Sequence, residues 1–341
     1  TTINMNRLRA VILAGGRGER MANLSRLKPL ALFGGQCRLI DFSLQNCKRS
    51  GIKELLLLSQ FSEIELIEYL LDQMKNGHLG DLKIHFGPYQ DVYHNPQILS
   101  QVHRPPENGT ADALLKNAEY IFESNNSDKS SDPYEDVLIL HSDHVYLFDY
   151  SKMLEFHKQN DCDLTLGHKA IPLNDVKLFG MVELDAHENV VSFIEKPQNP
   201  TSPYVFTAVC IIKKSILFEY LHKLKPSPEQ LEKQKIFDVS RHIIPQLIAD
   251  QKKVMSYHFA DHWQDIGTLA RYYRAHMDLL SAGSTLPPDL LPLTTSPDAK
   301  LKWVGNSLVA ADVIEHLDGR HQISNSIICS GVRSRSSLTR D

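Results

Sequence analysis

Residues 9–41, RAVILAGGRGERMANLSRLKPLALFGGQCRLID, constrain the fold more than any other stretch. Residues 10–13 are an unbroken apolar run with β-branched members that ends at glycines, the pattern of a strand buried on both faces. Gly15, Gly16 and Gly18 then allow the backbone to approach an anion with its N–H groups turned inward, while Arg17, Arg20 and Lys28 supply positive charge. Pro29 fixes the backbone beside Lys28, which can return to the loop. Two familiar phosphate loops fail here. The dinucleotide fingerprint needs a third glycine where Met21 stands, and the P-loop needs a Gly-Lys-Ser/Thr ending that the stretch lacks.

A chain of 341 residues has room for a substantial core, and a prior of roughly 150 residues per domain suggests two domains. Apolar residues make up 42% and charged residues 23%, a globular balance, and no apolar run approaches the ~20 residues of a membrane span. With a net charge of −4, a polyanion must be drawn in by a local cationic patch or a metal, which argues against nucleic acid as a partner. Cys37, Cys47, Cys162, Cys210 and Cys329 are odd in number and scattered, unlike zinc sites or a disulfide framework. Together with an N-terminus that has no apolar signal core, they lead us to expect a cytoplasmic protein.

Strands at residues 54–60, 81–86 and 136–141 alternate with helices at 41–48, 62–75 and 110–122, predicting βαβ units, a mostly parallel sheet and ligands at the strands' carboxyl ends. Asp143 in HSDHVY stands at such an end. The polar stretch 87–108 reads as a lid or flexible loop. Further on, 179–185 and 190–195 flank a turn and predict a hairpin, 204–212 another strand, and 238–250 a helix. In 262–280, Leu269, Tyr272, Tyr273, His276, Leu279 and Leu280 share one predicted helix face. Residues 281–300 read as a linker. In 301–341, Val332 and Leu338 hint at the hexapeptide spacing of a β-solenoid, and a tail this short is expected to dock on the first domain.

A cationic glycine turn, an acid at a strand end, a lysine after a hairpin (FIEKP) and a second acid beside a glycine (WQDIGT) suggest metal-assisted phosphoryl chemistry, with Asp143 and Asp265 as carboxylates for Mg²⁺. A capping role for Asp265 before Gly267-Thr268 is an equal alternative on its own. The runs ILAGGRGER, LKPLALFGG, RLIDFSLQNC, GTADAL, SDHVYLFDYSKML, FIEKP and WQDIGTLARYYRAHMDLL, in that order over residues 9–280, resemble the bacterial glucose-1-phosphate adenylyltransferases among the sugar nucleotidyltransferases. The resemblance implies a Rossmann-like α/β catalytic domain over residues 1–280, a linker at 281–300, and at 301–341 a short β segment like the start of a left-handed β-helix. It implies transfer of adenylyl from ATP to glucose 1-phosphate, giving ADP-glucose and pyrophosphate for glycogen synthesis, with Mg²⁺ as cofactor. A homotetramer or a hetero-oligomer with a paralogue would be the assembly.

By the same resemblance, Gly15, Gly16, Arg17, Gln60, Gly109 and Thr110 would bind ATP, with Arg17, Lys28 and Asp143 catalytic. Gly180, Glu195, Lys196 and Thr207 would hold the sugar phosphate, and Asp143 and Asp265 the metal. The chain departs from the pattern at Asn108, where arginine is usual, and in FTAVCII, where Thr207, Val209 and Ile211 stand for serine, glycine and tyrosine. Val209 would add bulk and Ile211 lose a hydrogen bond on the sugar side. Two alternatives follow: a non-catalytic regulatory paralogue, and a pyrophosphorylase for another NDP-sugar.

Overall fold

The computed structural model describes residues 4–14, 27–59, 63–86, 107–122, 133–227, 229–230, 233, 236–317 and 322–332. A nine-stranded mixed sheet runs through it. Lys83–His85, Glu54–Leu58, Leu8–Leu13 and Asp136–His141 lie side by side in that order and run parallel. All six residues of Leu8–Leu13 are buried, which is why its sequence is an unbroken apolar run rather than an alternation. Its side chains still divide by face: Ala10 and Ile12 join one apolar cluster with Leu55 and Leu57, while Val11 and Leu13 join another with Leu56 and Leu58. Helices cover both faces. Leu39–Arg49 and Glu63–Lys75 pack on the first through Phe42, Leu66 and Leu70. Thr110–Lys116 and Lys214–Lys223 pack on the second through Leu114, Leu217 and Leu221.

Next to Asp136–His141 the sheet turns antiparallel at the long strand Tyr204–Lys213. That strand pairs with the hairpin strand Gly180–Leu184, itself paired with Val190–Glu195, and with Leu164–Ala170, which leads to Val254–His258. A separate two-stranded antiparallel ribbon joins His144–Tyr146 to Trp263–Asp265. Among the described residues no helix is long and apolar enough to cross a membrane, and all five cysteines are unpaired thiols.

Several local expectations shift. The helix Leu39–Arg49 begins before Asp41, which sits at its third position and accepts the Arg38 backbone N–H at 2.7 Å. Residues 110–122 break at Asn117 into two helices, and the Asn117 amide, by donating to Ala113 O at 2.8 Å, satisfies the end of the first. Residues 239–243 form a π turn before the helix Ile244–Ala249, where Pro245 has no N–H to continue an α ladder. In the helix Leu269–Asp278 the inward side is Tyr272, Ala275 and His276, whereas Leu269 and Tyr273 are exposed.

Leu301–Val304, Ser307–Ala310 and Ile327–Ile328 form a small C-terminal sheet. Leu291, Leu301, Leu308 and Val309 share the apolar cluster of Leu39 and Phe42, so this segment is seated on the first face of the main sheet. Val332 is half exposed and Leu338 lies outside the described residues.

Candidate active site

At the carboxyl ends of Leu8–Leu13 and Asp136–His141 opens a cavity of about 290 Å³, the place where open α/β sheets bind ligands. Its floor carries the ribbon. Asp143 immediately precedes His144–Tyr146, and Asp265 ends the partner strand directly opposite His144. The His144 imidazole therefore stands between two carboxylates, with Nδ1 3.2 Å from Asp143 Oδ1 and Nε2 3.6 Å from Asp265 Oδ1. Stacking on Trp263, at 5.5 Å between centroids and 23° between planes, fixes the ring.

Each carboxylate also meets a cation. Lys28 Nζ donates to Asp143 Oδ2 at 2.6 Å and Arg271 Nη1 to Asp265 Oδ2 at 2.6 Å. Burial alone would raise the Asp143 carboxyl. The charges of Lys28, His144 and His141 outweigh it and hold Asp143 well below the ordinary carboxylate range. His141, at the strand end, is lowered chiefly by burial. Asp143 Oδ1 is buried and, although His144 Nδ1 stands 3.2 Å away, makes no hydrogen bond of good geometry, so a cation that displaced the imidazole would find an acceptor here.

Across the cavity, Gly180, Glu195 and Lys196 line the wall. A Cβ at Gly180 would come within 2.4 Å of the Phe193 ring and 3.1 Å of Glu195 Oε2, so glycine is required for the hairpin to close there. Burial raises the Glu195 carboxyl, with Lys196 and Arg241 opposing. Lys196 takes a left-handed φ of +52 while its N–H donates to Phe179 O at 2.8 Å. Strain of this kind in a lysine turns its side chain, half exposed, out of the strand's alternation.

Gly109 and Thr110 form a third side with a segment that the sequence placed simply inside a helix. Asp238 Oδ1 accepts the Thr110 backbone N–H at 2.9 Å and its hydroxyl at 3.3 Å, and Phe237 O accepts the N–H groups of Ala111 and Asp112. The helix that begins at Thr110 is thus capped from 128 residues away. Asp238 and Ser240 line the cavity, and FDVS carries no local signal that would distinguish them from helix starters.

The long strand corrects the sequence register. Phe206, Ala208 and Cys210 line the cavity, whereas Val209 and Ile211 are buried in the apolar cluster behind it. Thr207 is fully buried and its hydroxyl donates to Gly167 O at 3.0 Å, away from the cavity. Ala208 adopts φ +61 at a register shift between Phe206 and Cys210, a conformation that suits glycine. The side chains of this strand that face the cavity are therefore Phe206, Ala208 and Cys210, one residue out of phase with Thr207, Val209 and Ile211. Strand alternation, counted back from the cavity, supplies the signal.

Lys28, Asp143, Asp265, Thr110, Gly180, Glu195 and Lys196 come together around one space, with Gly109 beside Asp238. Gly15, Gly16, Arg17 and Gln60 lie outside the described residues. His144, Arg271, Asp238 and Phe206 were not anticipated.

A glycine-rich sequence following the central strand, with acids and lysines gathered at the sheet's carboxyl edge, is what an enzyme that handles nucleoside phosphates requires. The chain belongs to the nucleotidyl transferase family, whose model matches residues 9–282. It is 41% identical over 342 residues to a valienol-1-phosphate guanylyltransferase from Streptomyces hygroscopicus subsp. limoneus, covering 96% of this chain and 87% of that one. To a glucose-1-phosphate adenylyltransferase from Fusobacterium nucleatum it is 33% identical, covering 96% and 82%, and to one from Clostridium botulinum 31%, covering 95% and 81%.

Proposed function

We propose that this enzyme transfers a guanylyl group from GTP to the 1-phosphate of a glucose-like carbocycle, releasing pyrophosphate. The observation that carries the choice of acceptor is the cavity wall. Opposite the polar rim of Glu195 and Lys196, the wall presents Phe206, Ala208 and Cys210, three side chains without a hydroxyl. A ring with less hydrogen-bonding demand on that side loses least. The guanine base is favoured by the 41% identity to a guanylyltransferase against 33% and 31% to adenylyltransferases.

The chemistry asks little of the protein beyond alignment and charge. The acceptor phosphate is already an anionic nucleophile, so no strong base is needed, only in-line placement at the α-phosphorus and neutralisation of crowded negative charge. Asp143 and Asp265 would hold Mg²⁺, whose preference for carboxylate oxygens fits Asp143 Oδ1, which is buried without a hydrogen bond. When bound, the ion neutralises phosphate oxygens at the reacting centre. Lys28 and Arg17 would take the triphosphate and the leaving pyrophosphate, Lys196 the acceptor phosphate, and Glu195 the ring hydroxyls.

The second reading, ATP with glucose 1-phosphate giving ADP-glucose, is favoured by RLIDFSLQNC and WQDIGT. Pyrophosphate release from GTP and ATP, each with valienol 1-phosphate and glucose 1-phosphate, separates the two when product masses are checked. Fastest turnover with GTP and valienol 1-phosphate, lost in Asp143→Asn, supports the proposal. Fastest turnover with ATP and glucose 1-phosphate selects the second reading, and saturable binding without turnover selects a regulatory paralogue.

A further inference from the structure

Lys28 begins a single 3-10 turn, Lys28–Leu30, that has no side-chain cap. So short a turn does little by itself to aim an ammonium group. The next element holds it instead: Arg38 Nη1 donates to Leu30 O at 2.5 Å and Leu39 N to Ala31 O at 3.1 Å. Arg38 is fixed in turn by Asp41, which accepts its backbone N–H, and by Tyr69, whose ring centre lies 5.0 Å from the guanidinium.

Asp41 is only 2% exposed, and a carboxylate so buried is costly unless its oxygens are satisfied. The Tyr69 hydroxyl lies 2.9 and 2.7 Å from its two oxygens, and Thr294 Oγ1 donates to Oδ2 at 2.6 Å. Thr294 is 253 residues further along the chain, in the connector to the C-terminal sheet. The connector is registered on the neighbouring turn, between Leu32–Phe33 and Cys37–Arg38, by the Thr294 N–H to Gln36 O and the Leu301 N–H to Gln36 Oε1, each 2.9 Å. Packing alone would not require a hydroxyl at this spot, since an apolar side chain of the same shape fills the same space.

We infer that Thr294 is a positioning residue: acting through Asp41 and Arg38 it fixes the turn that carries Lys28, so the seating of the C-terminal connector sets how well Lys28 meets the triphosphate. The inference rests on the reading of Lys28 as a ligand of the triphosphate and pyrophosphate.

The test compares Thr294→Val, Thr294→Ser, Lys28→Met and the double variant Thr294→Val/Lys28→Met. The readouts are KM for GTP, KM for the acceptor and pyrophosphate affinity by calorimetry. Thr294→Val is expected to weaken GTP and pyrophosphate together by roughly threefold to tenfold, within the range such couplings span, while acceptor KM holds. Thr294→Ser, which keeps the hydroxyl, restores both. Once Lys28 is gone, Thr294→Val should cost nothing more. A full additional loss in the double variant, or an equal rise in acceptor KM, overturns the relay as mere loosening of the fold. Undiminished pyrophosphate binding in Lys28→Met overturns the reading of Lys28 itself.

Discussion

Gly109→Ala is expected to be among the most damaging single-methyl additions in the chain, and its cost divides into two parts. Gly109 has φ +111 and ψ 171, outside the range that L side chains adopt readily. An alanine there gives up about 1–3 kcal/mol to backbone strain. Its Cβ would also stand 2.5 Å from Phe237 O and 2.6 Å from Asp238 Oδ1. The carbonyl cannot swing aside, because it accepts the N–H groups of Ala111 and Asp112, and the Phe237 N–H is tied to Asn108 O at 2.7 Å. Forcing such an overpacked contact adds about 1–3 kcal/mol. Gly51→Ala is the control: Gly51 has φ +79 with nothing within 4 Å of its added Cβ, so it suffers the strain alone. Urea unfolding, followed by the fluorescence of Trp263 and Trp303, should place Gly109→Ala below Gly51→Ala by the contact part. The displaced Asp238, which lines the cavity, should raise substrate KM in Gly109→Ala and not in the control. Equal losses in the two variants would refute the reasoning.

The remaining expectations are brief. Burial and the neighbouring His258 push His168 down to about 4, so below the ordinary histidine value of 6.5 the unfolded chain takes up a proton that the native chain refuses. Stability is therefore full above 6.5 and falls as pH drops toward 4; His168→Asn should flatten that acid limb, and an unchanged slope in pH-dependent denaturation counts against the assignment. Phe206→Ser with Cys210→Tyr should move acceptor preference toward glucose 1-phosphate, by about tenfold in relative kcat/KM if each hydroxyl contributes one hydrogen bond; unchanged preference would mean that this wall does not face the ring. Asp143→Asn should lower turnover by at least about a hundredfold, the size of loss seen for electrostatic groups at a reacting centre, and binding of Mg²⁺ alone should weaken in parallel.

The parallel half of the sheet was legible because buried strands announce themselves: residues 10–13 and 55–58 are apolar without interruption. The acids stood out for a different reason: Asp143 stands just beyond a strand, and Asp265 is close to a glycine in WQDIGT. What the sequence concealed lies mostly in relations between distant segments. Nothing in FDVS signals that Asp238 caps a helix starting at Thr110, and nothing in TTSP signals that Thr294 satisfies Asp41. The strand 204–213 shows a subtler limit. Its composition revealed a strand but not which set of alternate residues faces the ligand, and a slip of one residue moved attention from Phe206, Ala208 and Cys210 to three side chains on the opposite face. In 269–278 the helical period was right, but neighbours decided the stripe: Phe33 packs against His276 with 4.3 Å between ring centres, whereas Tyr273 is exposed.

Asp143 and Asp265 reside on a ribbon of their own and not on the large sheet. Because His144 faces Asp265 in the ladder, the spacing between the two acids is set by local pairing, while the distance from them to Glu195 and Lys196 depends on how the hairpin leans over the cavity. The molecule thus separates two tolerances. A shift of the hairpin would change the distance from Glu195 and Lys196 to the acids and leave the acid pair undisturbed, so the geometry of that wall can vary without altering the spacing of the two carboxylates.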